Sequence, residues 1–313
     1  MSPSDILRRY GIILAWVGII VVFSALRPDT FATFANFQTI AGSQAVLLII
    51  TLGLLIPLAA GEFDLSISGT VGISLVLLGW LNVIQGWSIG WAIAAALGAG
   101  LAVGVVNAFF VVVGRVESIV VTLGTGTVLL GLAVAINDTT TGGVSSHLVE
   151  AVRHQFLDLP AAFYYGVLMT IVVWYLFSQT PFGRYLYFVG AGREVARLSG
   201  IRVEWVRVLA FLGSGFVSAL AGVILAGWLG ASDPNVGGTY LLPAFAAAFL
   251  GSSIIQPGRF NPWGTFVAVY FLVTGVTGLQ LLGLAGWIEQ VFYGASLVLA
   301  VAISRLAGRS EAR

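Results

Sequence analysis

The chain has no cysteine and, although 14 of its 313 residues are basic, no lysine. Without cysteine there is no disulfide framework and no thiolate metal site. Without lysine there is neither the P-loop residue that contacts nucleotide phosphates nor a Schiff-base amine, so the chain carries no Walker A site of its own. Charge is scarce altogether: 9% of residues are charged, against about 25% in an average soluble domain. A net charge of +1 excludes the basic stripe that nucleic acid requires. The two histidines, His147 and His154, lie in one loop with no nucleophile or ligand cluster beside them, so neither a catalytic residue nor a metal site is expected.

What the chain has instead is apolar length. Hydrophobic residues make up 58% and the mean hydropathy is +1.01, which places it in lipid. Its 40 glycines suit membrane helices, whose backbones approach closely where side chains are small. The run Gly98-Ala99-Gly100-Leu101-Ala102-Val103-Gly104 misses dinucleotide-binding spacing by one residue and reads as helix packing.

A hydrocarbon core of about 30 Å takes roughly 20 apolar residues per helix. That ruler predicts an all-α, polytopic membrane domain of about ten spans: 10–26, 43–60, 67–84, 88–113, 118–136, 161–177, 206–229, 242–255, 263–283 and 284–303. The eighth, between Pro243 and Pro257, is short and reads as a full crossing or as a broken, re-entrant segment. With both termini cytoplasmic, Arg8, Arg9, Arg115, Arg184, Arg193, Arg197, Arg202, Arg207, Arg259, Arg305, Arg309 and Arg313 fall inside, and only Arg27 and Arg153 fall outside. The first span reads as an uncleaved helix rather than a signal peptide. One domain, 1–313, is expected, with an outer loop at 137–160 that faces either a soluble partner or solvent alone.

Three constellations stand out. In Gly61-Glu62-Phe63-Asp64-Leu65-Ser66 two carboxylates sit between apolar runs, where Asp64 or Ser66 is expected to cap the helix starting near Ile67. A proton relay through Glu62 and Asp64 is the alternative, with Glu289 the other carboxylate to consider. Gln44, Asn82, Asn107, Thr122 and Thr125 form a neutral polar set within the spans, suited to hydrogen-bonding an uncharged polyhydroxylated solute or to bonding helix to helix. The third stretch, 180–206, concentrates arginine. There Arg193-Glu194-Val195-Ala196-Arg197-Leu198-Ser199 predicts a short amphipathic helix stopped by Gly200. It suits a groove on a cytoplasmic partner, a layer of lipid headgroups, or a topology anchor alone.

These residues resemble the permease subunits of ribose/galactose-type ABC importers, a family related to branched-chain amino acid permeases. The resemblance rests on Gly61 to Ser66, on Val121-Thr122-Leu123-Gly124-Thr125, and above all on Gly183-Arg184-Tyr185-Leu186-Tyr187 followed by Gly190 and Glu194 to Ile201. It continues through Gly222, Gly237-Gly238, Ala246-Ala247, Gly251, Gly264-Thr265 and Gly278-Leu279. It implies a transport subunit, not an enzyme, in the bacterial inner or plasma membrane. ATP and Mg would be held by a separate ABC ATPase docked on a coupling loop that includes Gly183, Arg184, Glu194, Val195, Ala196, Arg197, Leu198 and Gly200. It further implies an extracytoplasmic solute-binding protein, surrounding lipid and a second permease copy, as homodimer or heterodimer. Where the family often has Glu-Leu-Asp this chain has Leu241-Leu242-Pro243, and Asn107-Ala108 replaces Asn-Gly. The expected solute is a monosaccharide or related polyol, along a path lined by Gln44, Asp64, Asn107 and Thr122. A branched-chain amino acid permease and an ion-coupled secondary carrier are the alternatives.

Overall fold

A computed structural model describes the backbone of residues 3–311 and the side chains of residues 10–302. The side chains of Arg8, Arg9, Arg305 and Arg309, together with Arg313, lie outside the described residues. In chain order the helices are α1 (Pro3–Leu26), α2 (Phe34–Ser43), α3 (Ala45–Ala59), α4 (Ile67–Gly79), α5 (Ile89–Ala108), α6 (Ser118–Ile136), α7 (Ser146–Arg153), α8 (Ala161–Gln179), α9 (Pro181–Ala191), α10 (Arg193–Leu198), α11 (Val203–Leu229), α12 (Leu241–Gly251), α13 (Pro262–Leu281) and α14 (Trp287–Glu311). Two of them, α4 and α5, run on into single π-helical turns, Trp80–Ile84 and Phe109–Val113.

Among the described residues seven helical segments are long and apolar enough to cross a membrane: 34–59, 67–84, 89–113, 118–136, 161–179, 203–229 and 262–281. Three shorter apolar segments, 10–26, 237–251 and 287–302, fall where the sequence predicted the first, eighth and tenth spans. The protein is an all-α, multi-pass membrane protein.

The axis of the fold is α3, whose 15 residues are all buried. Its AVLLIITLGLLIPLA sequence is apolar on every face, as a helix surrounded by others must be. It packs against α8, α11, α12 and α13, and Gly53 lets Val217 of α11 come close enough that a Cβ there would sit 3.0 Å from it. A second crossing joins α5 to α11, where Gly100 faces the Gly215 carbonyl and Gly104 faces Phe211 and Leu212. The glycine run read as helix packing does pack in this way, through Gly100 and Gly104.

Several boundaries differ from the sequence reading. The second span starts nine residues earlier, at Phe34, and turns at Gln44 between α2 and α3; polar Asn36, Gln38 and Ser43 had hidden its first turns. The segment α12 ends at Gly251 rather than near Ile255. Asn261 Nδ2 donates to the carbonyls of Gly251 and Ile254 at 3.2 and 3.0 Å, closing the return to α13. The last span begins at Trp287, since Gly283 and Gly286 favour a turn over a helix start, and α11 begins at Val203 instead of Val206.

The 137–160 segment holds more than a connector. Thr141–Gly142 (β1) pairs antiparallel with Ala231–Ser232 (β4), and Gln155–Phe156 (β2) pairs with Leu159–Pro160 (β3). Between β1 and β2, α7 buries Leu148 and Val152 against Gly227 of α11. Asn82 pins the segment, its Oδ1 accepting from the Ser145 N–H at 2.9 Å.

Candidate functional site

At one end of the bundle α3 stops after Pro57, the chain turns at Gly61 with φ +74°, and the acidic stretch enters a junction of six helices. Glu62 is 2% exposed, yet its Oε1 accepts from two guanidinium groups: Arg193 Nη2 of α10 at 2.6 Å and Arg207 Nε of α11 at 2.5 Å. Arg193 also donates to the Gly61 carbonyl at 3.3 Å. One carboxylate thus ties the short helix, the end of α3 and the first turns of α11 together.

Two residues on, Asp64 is 1% exposed. Its Oδ1 accepts from the Ser66 N–H at 3.0 Å and the Ser66 hydroxyl at 2.6 Å, and its Oδ2 accepts from Ser214 Oγ of α11 at 2.7 Å. Burial pushes its carboxyl above the ordinary value, and the hydrogen bonds from Ser66 and Ser214 oppose that shift. The expected cap on α4 is corrected: Ser66 holds the N-cap position without a side-chain cap bond, because its oxygen accepts from Asn107 while its hydrogen goes to Asp64, and Asp64 itself takes only the Ser66 N–H ahead of the helix. Asn107 of α5 donates to Ser66 Oγ at 2.8 Å. Thr122 of α6 accepts from the Leu65 N–H at 3.0 Å and donates to the Ser118 carbonyl at 2.7 Å. Asp64, Asn107 and Thr122 are therefore brought together, as a buried network joining α4, α5, α6 and α11.

That network predicts a sharp contrast between two variants. Asp64→Ala strands three buried donors, each at a cost of about 1–3 kcal/mol, and is expected to abolish accumulation of folded protein. Asp64→Asn keeps an acceptor oxygen and is expected to fold and transport. A stable but transport-dead Asn variant would restore the proton-relay reading; thermal stability in detergent and uptake read the two apart.

Gln44 stands elsewhere, at the opposite end of α3, roughly 20 Å along a helix of this length. It lines a separate cavity with Trp228, Tyr240 and Gln280. Asn82 and Thr125 belong to neither group; Asn82 is the pin described above.

The arginine-rich stretch forms two helices. Thr180 caps α9, accepting from the Gly183 N–H at 3.2 Å, and Pro181 takes the first helical position. Gly183 lies against the Leu176 and Phe177 carbonyls, and Gly190 against Ala59 and Gly61, so α9 rests directly on the ends of α8 and α3. Tyr187 donates to the Phe260 carbonyl at 2.5 Å, Arg259 stacks over its ring, and burial pushes its hydroxyl up to about 12, against the pull of Arg259. The short helix α10 ends as expected at Gly200, φ +81°. Ala196 is buried, whereas Val195 and Leu198 are 67% and 88% exposed. Arg197 bridges Glu194 at 2.8 Å and Glu204 at 2.7 Å. Arg193 and Arg197 are thus engaged by carboxylates, which speaks against α10 as a helix lying on headgroups. Arg184 is exposed. Between α10, α11 and the start of α6 opens a charged cleft of about 910 Å³.

The sequence reading missed the partners of the two carboxylates, Arg207 for Glu62 and Ser214 for Asp64. A signal was available: two acids flanked by hydrocarbon require compensation, and α11 presents an arginine and a serine seven residues apart, on one face of a helix.

Residues 36–301 match the family described as the branched-chain amino acid transport system / permease component. The chain belongs to that family. Curated relatives align along nearly their whole length. The ribose import permease protein of Bacillus subtilis is 30% identical over 305 residues, covering 96% of this chain and 94% of the relative. The L-arabinose transport system permease protein of Escherichia coli is 29% identical, with 97% and 92% covered, and the D-allose transport system permease protein of the same organism is 25% identical, with 95% and 92% covered. No solved structure matches the chain.

Proposed function

We propose that the chain is the membrane-spanning permease subunit of an ATP-driven importer that carries a monosaccharide or related polyol by alternating access. The observation that carries this reading is end-to-end similarity to permeases named for ribose, arabinose and allose. A chain without lysine has no Walker site, so ATP and Mg belong to a separate ATPase subunit. An extracytoplasmic solute-binding protein and a second permease copy complete the assembly, and the whole chain acts as one transmembrane domain.

The seven long and three short apolar segments are read as ten crossings with both termini cytoplasmic. Residues 180–206 then face the ATPase and 137–160 face the binding protein. Nucleotide-driven movement does work only through contacts that differ between two states. Here α10 is the element that the ATPase would shift. Arg193 passes the shift to Glu62, and Glu62 lies two residues from the Asp64 network that holds α4, α5, α6 and α11.

Proteoliposomes containing the chain with its ATPase and binding protein test the reading. Sugar uptake from a panel of D-ribose, L-arabinose and D-allose is expected to require MgATP and to persist with an ionophore present. Uptake that collapses with the ion gradient, or that is confined to leucine, would overturn it.

A further inference from the structure

Arg27 is one of the two arginines left on the outer side when both termini are cytoplasmic, against the usual bias, and transport gives it no task. It stands between the apolar segments 10–26 and 34–59, at the membrane boundary. Its side chain is exposed and makes no hydrogen bond or ion pair among the described residues. The Arg27 N–H still closes a helical turn on the Phe23 carbonyl. Arg27 therefore prolongs one face of α1, where Trp16, Ile20, Ser24 and Arg27 follow one another at helical spacing.

Trp16, Ile20 and Ser24 border a groove of about 590 Å³ between α1, α2 and α13. Across it Phe266, Tyr270 and Thr274 of α13 repeat at the same spacing. Each row spans about 12 Å of helix, so the groove is long and runs with the helix axes. Phe34 and Phe37 of α2 line it and are themselves exposed, which opens it at the surface of the bundle.

The polar side chains on its wall are spent on one another and on backbone. Trp16 Nε1 donates to Thr274 Oγ1 at 2.9 Å, Thr274 Oγ1 to the Tyr270 carbonyl at 2.6 Å, and the Tyr270 hydroxyl to the Ala41 carbonyl at 3.2 Å. Asn36 Nδ2 donates to the Phe31 carbonyl at 2.9 Å, and Thr33 Oγ1 accepts from the Asn36 N–H at 3.2 Å. An occupant meets rings and hydrocarbon, which excludes a sugar, whose hydroxyls would leave water for few partners. A long apolar slot ending at an unpaired guanidinium fits an acyl chain that carries a phosphate, the group arginine binds through two parallel hydrogen bonds. Asp29, exposed two residues on and also without a partner among the described residues, opposes a purely anionic head. It suits one that carries an amine beside the phosphate.

We infer that the groove between α1, α2 and α13 binds one phospholipid with a zwitterionic, amine-bearing headgroup, an acyl chain lying along the Trp16 to Ser24 row and the phosphate meeting Arg27. The site depends on the chain lying in a membrane and not on which solute it carries. It fills the space that α1, which packs on α13, leaves against α2.

Native mass spectrometry of the purified full chain, delipidated in detergent and titrated with phosphatidylethanolamine, tests the site. One lipid per chain is expected to bind, more tightly than phosphatidylglycerol with the same acyl chains. Arg27→Gln changes an exposed side chain and is expected to keep the wild-type melting temperature. It is expected to weaken phosphatidylethanolamine binding about tenfold, as loss of a charge-assisted hydrogen bond would. Diacylglycerol with the same chains has no phosphate, so Arg27→Gln is expected to leave its binding unchanged, whereas Ile20→Trp, which fills the groove, is expected to weaken both lipids. Phosphatidylethanolamine binding at wild-type strength in both variants overturns the site. Lipid binding that disappears as two copies of the chain associate assigns the groove to a second copy and overturns it as well.

Discussion

Replacing Val195 and Leu198 together by aspartate is expected to reduce solute-stimulated ATP hydrolysis to the basal rate and to abolish uptake, while expression and melting temperature remain those of the wild type. Both side chains point away from the protein, at 67% and 88% exposure, so the substitutions remove nothing from the core. What holds α10 in place lies on its other sides: Ala196 is buried, Arg193 reaches Glu62, and Arg197 reaches Glu204 of α11. Two large aliphatic groups held in water by a charged framework are an interaction surface without its partner. A helix of this kind docks by setting its apolar anchors into a groove. Two buried aspartates in that groove would each carry the penalty of an uncompensated charge, enough to release the ATPase. By contrast, Arg197→Gln removes only exposed ion pairs, whose worth is about 0–1 kcal/mol. Coupling at wild-type strength in the double aspartate variant would refute the docking role of α10.

Glu62→Gln is expected to fail in a different way, losing stability and coupling together. The carboxylate is 2% exposed and Arg207 is 13% exposed, so the variant leaves a guanidinium desolvated without its counter-charge. Breaking a buried pair from one side costs about 3–5 kcal/mol. Arg193 is 43% exposed and can turn to solvent, so the strain concentrates at Arg207. Adding Arg207→Gln to Glu62→Gln is accordingly expected to recover much of the melting temperature without recovering solute-stimulated ATPase, because the path from α10 stays cut. Additive losses in that cycle would show that the two residues do not act as a pair.

How far the sequence disclosed all this differs from one element to another. The short helix, its stop at Gly200 and the packing role of Gly100 and Gly104 follow from local rules: an i,i+4 pattern, a residue that tolerates positive φ, and small side chains where backbones meet. Broken segments were partly visible, since Pro243 falls in the first turn of α12 and Pro257 follows its end. The break at Gln44 was hidden because a turn of two or three residues leaves hydropathy almost unchanged. Partners of Glu62 and Asp64 lie some 130 to 150 residues away along the chain, and no local rule reaches that far. Gln44, Asn107 and Thr122 looked alike as neutral polar residues in apolar spans, and Asp64 stood apart in the stretch between two of them. Only their placement separates three members of a closed network from one that borders open space, and it also brings in Trp228, Tyr240 and Gln280, which as aromatic or terminal residues carried no distinguishing mark.

The complete enclosure of α3 bears on how the protein is made. A helix with no lipid-facing side in the finished fold must still enter the bilayer as an early segment, bathed in lipid on all sides. Its neighbours α8, α11, α12 and α13 begin more than 100 residues later, at about 5–20 residues per second of synthesis. For many seconds α3 is therefore a guest of the lipid and of whatever assembly factors are at hand, and the bundle closes around it only when the C-terminal half arrives. Chains cut short before α11 would leave this helix unhoused, which makes the last third of translation the step on which assembly waits.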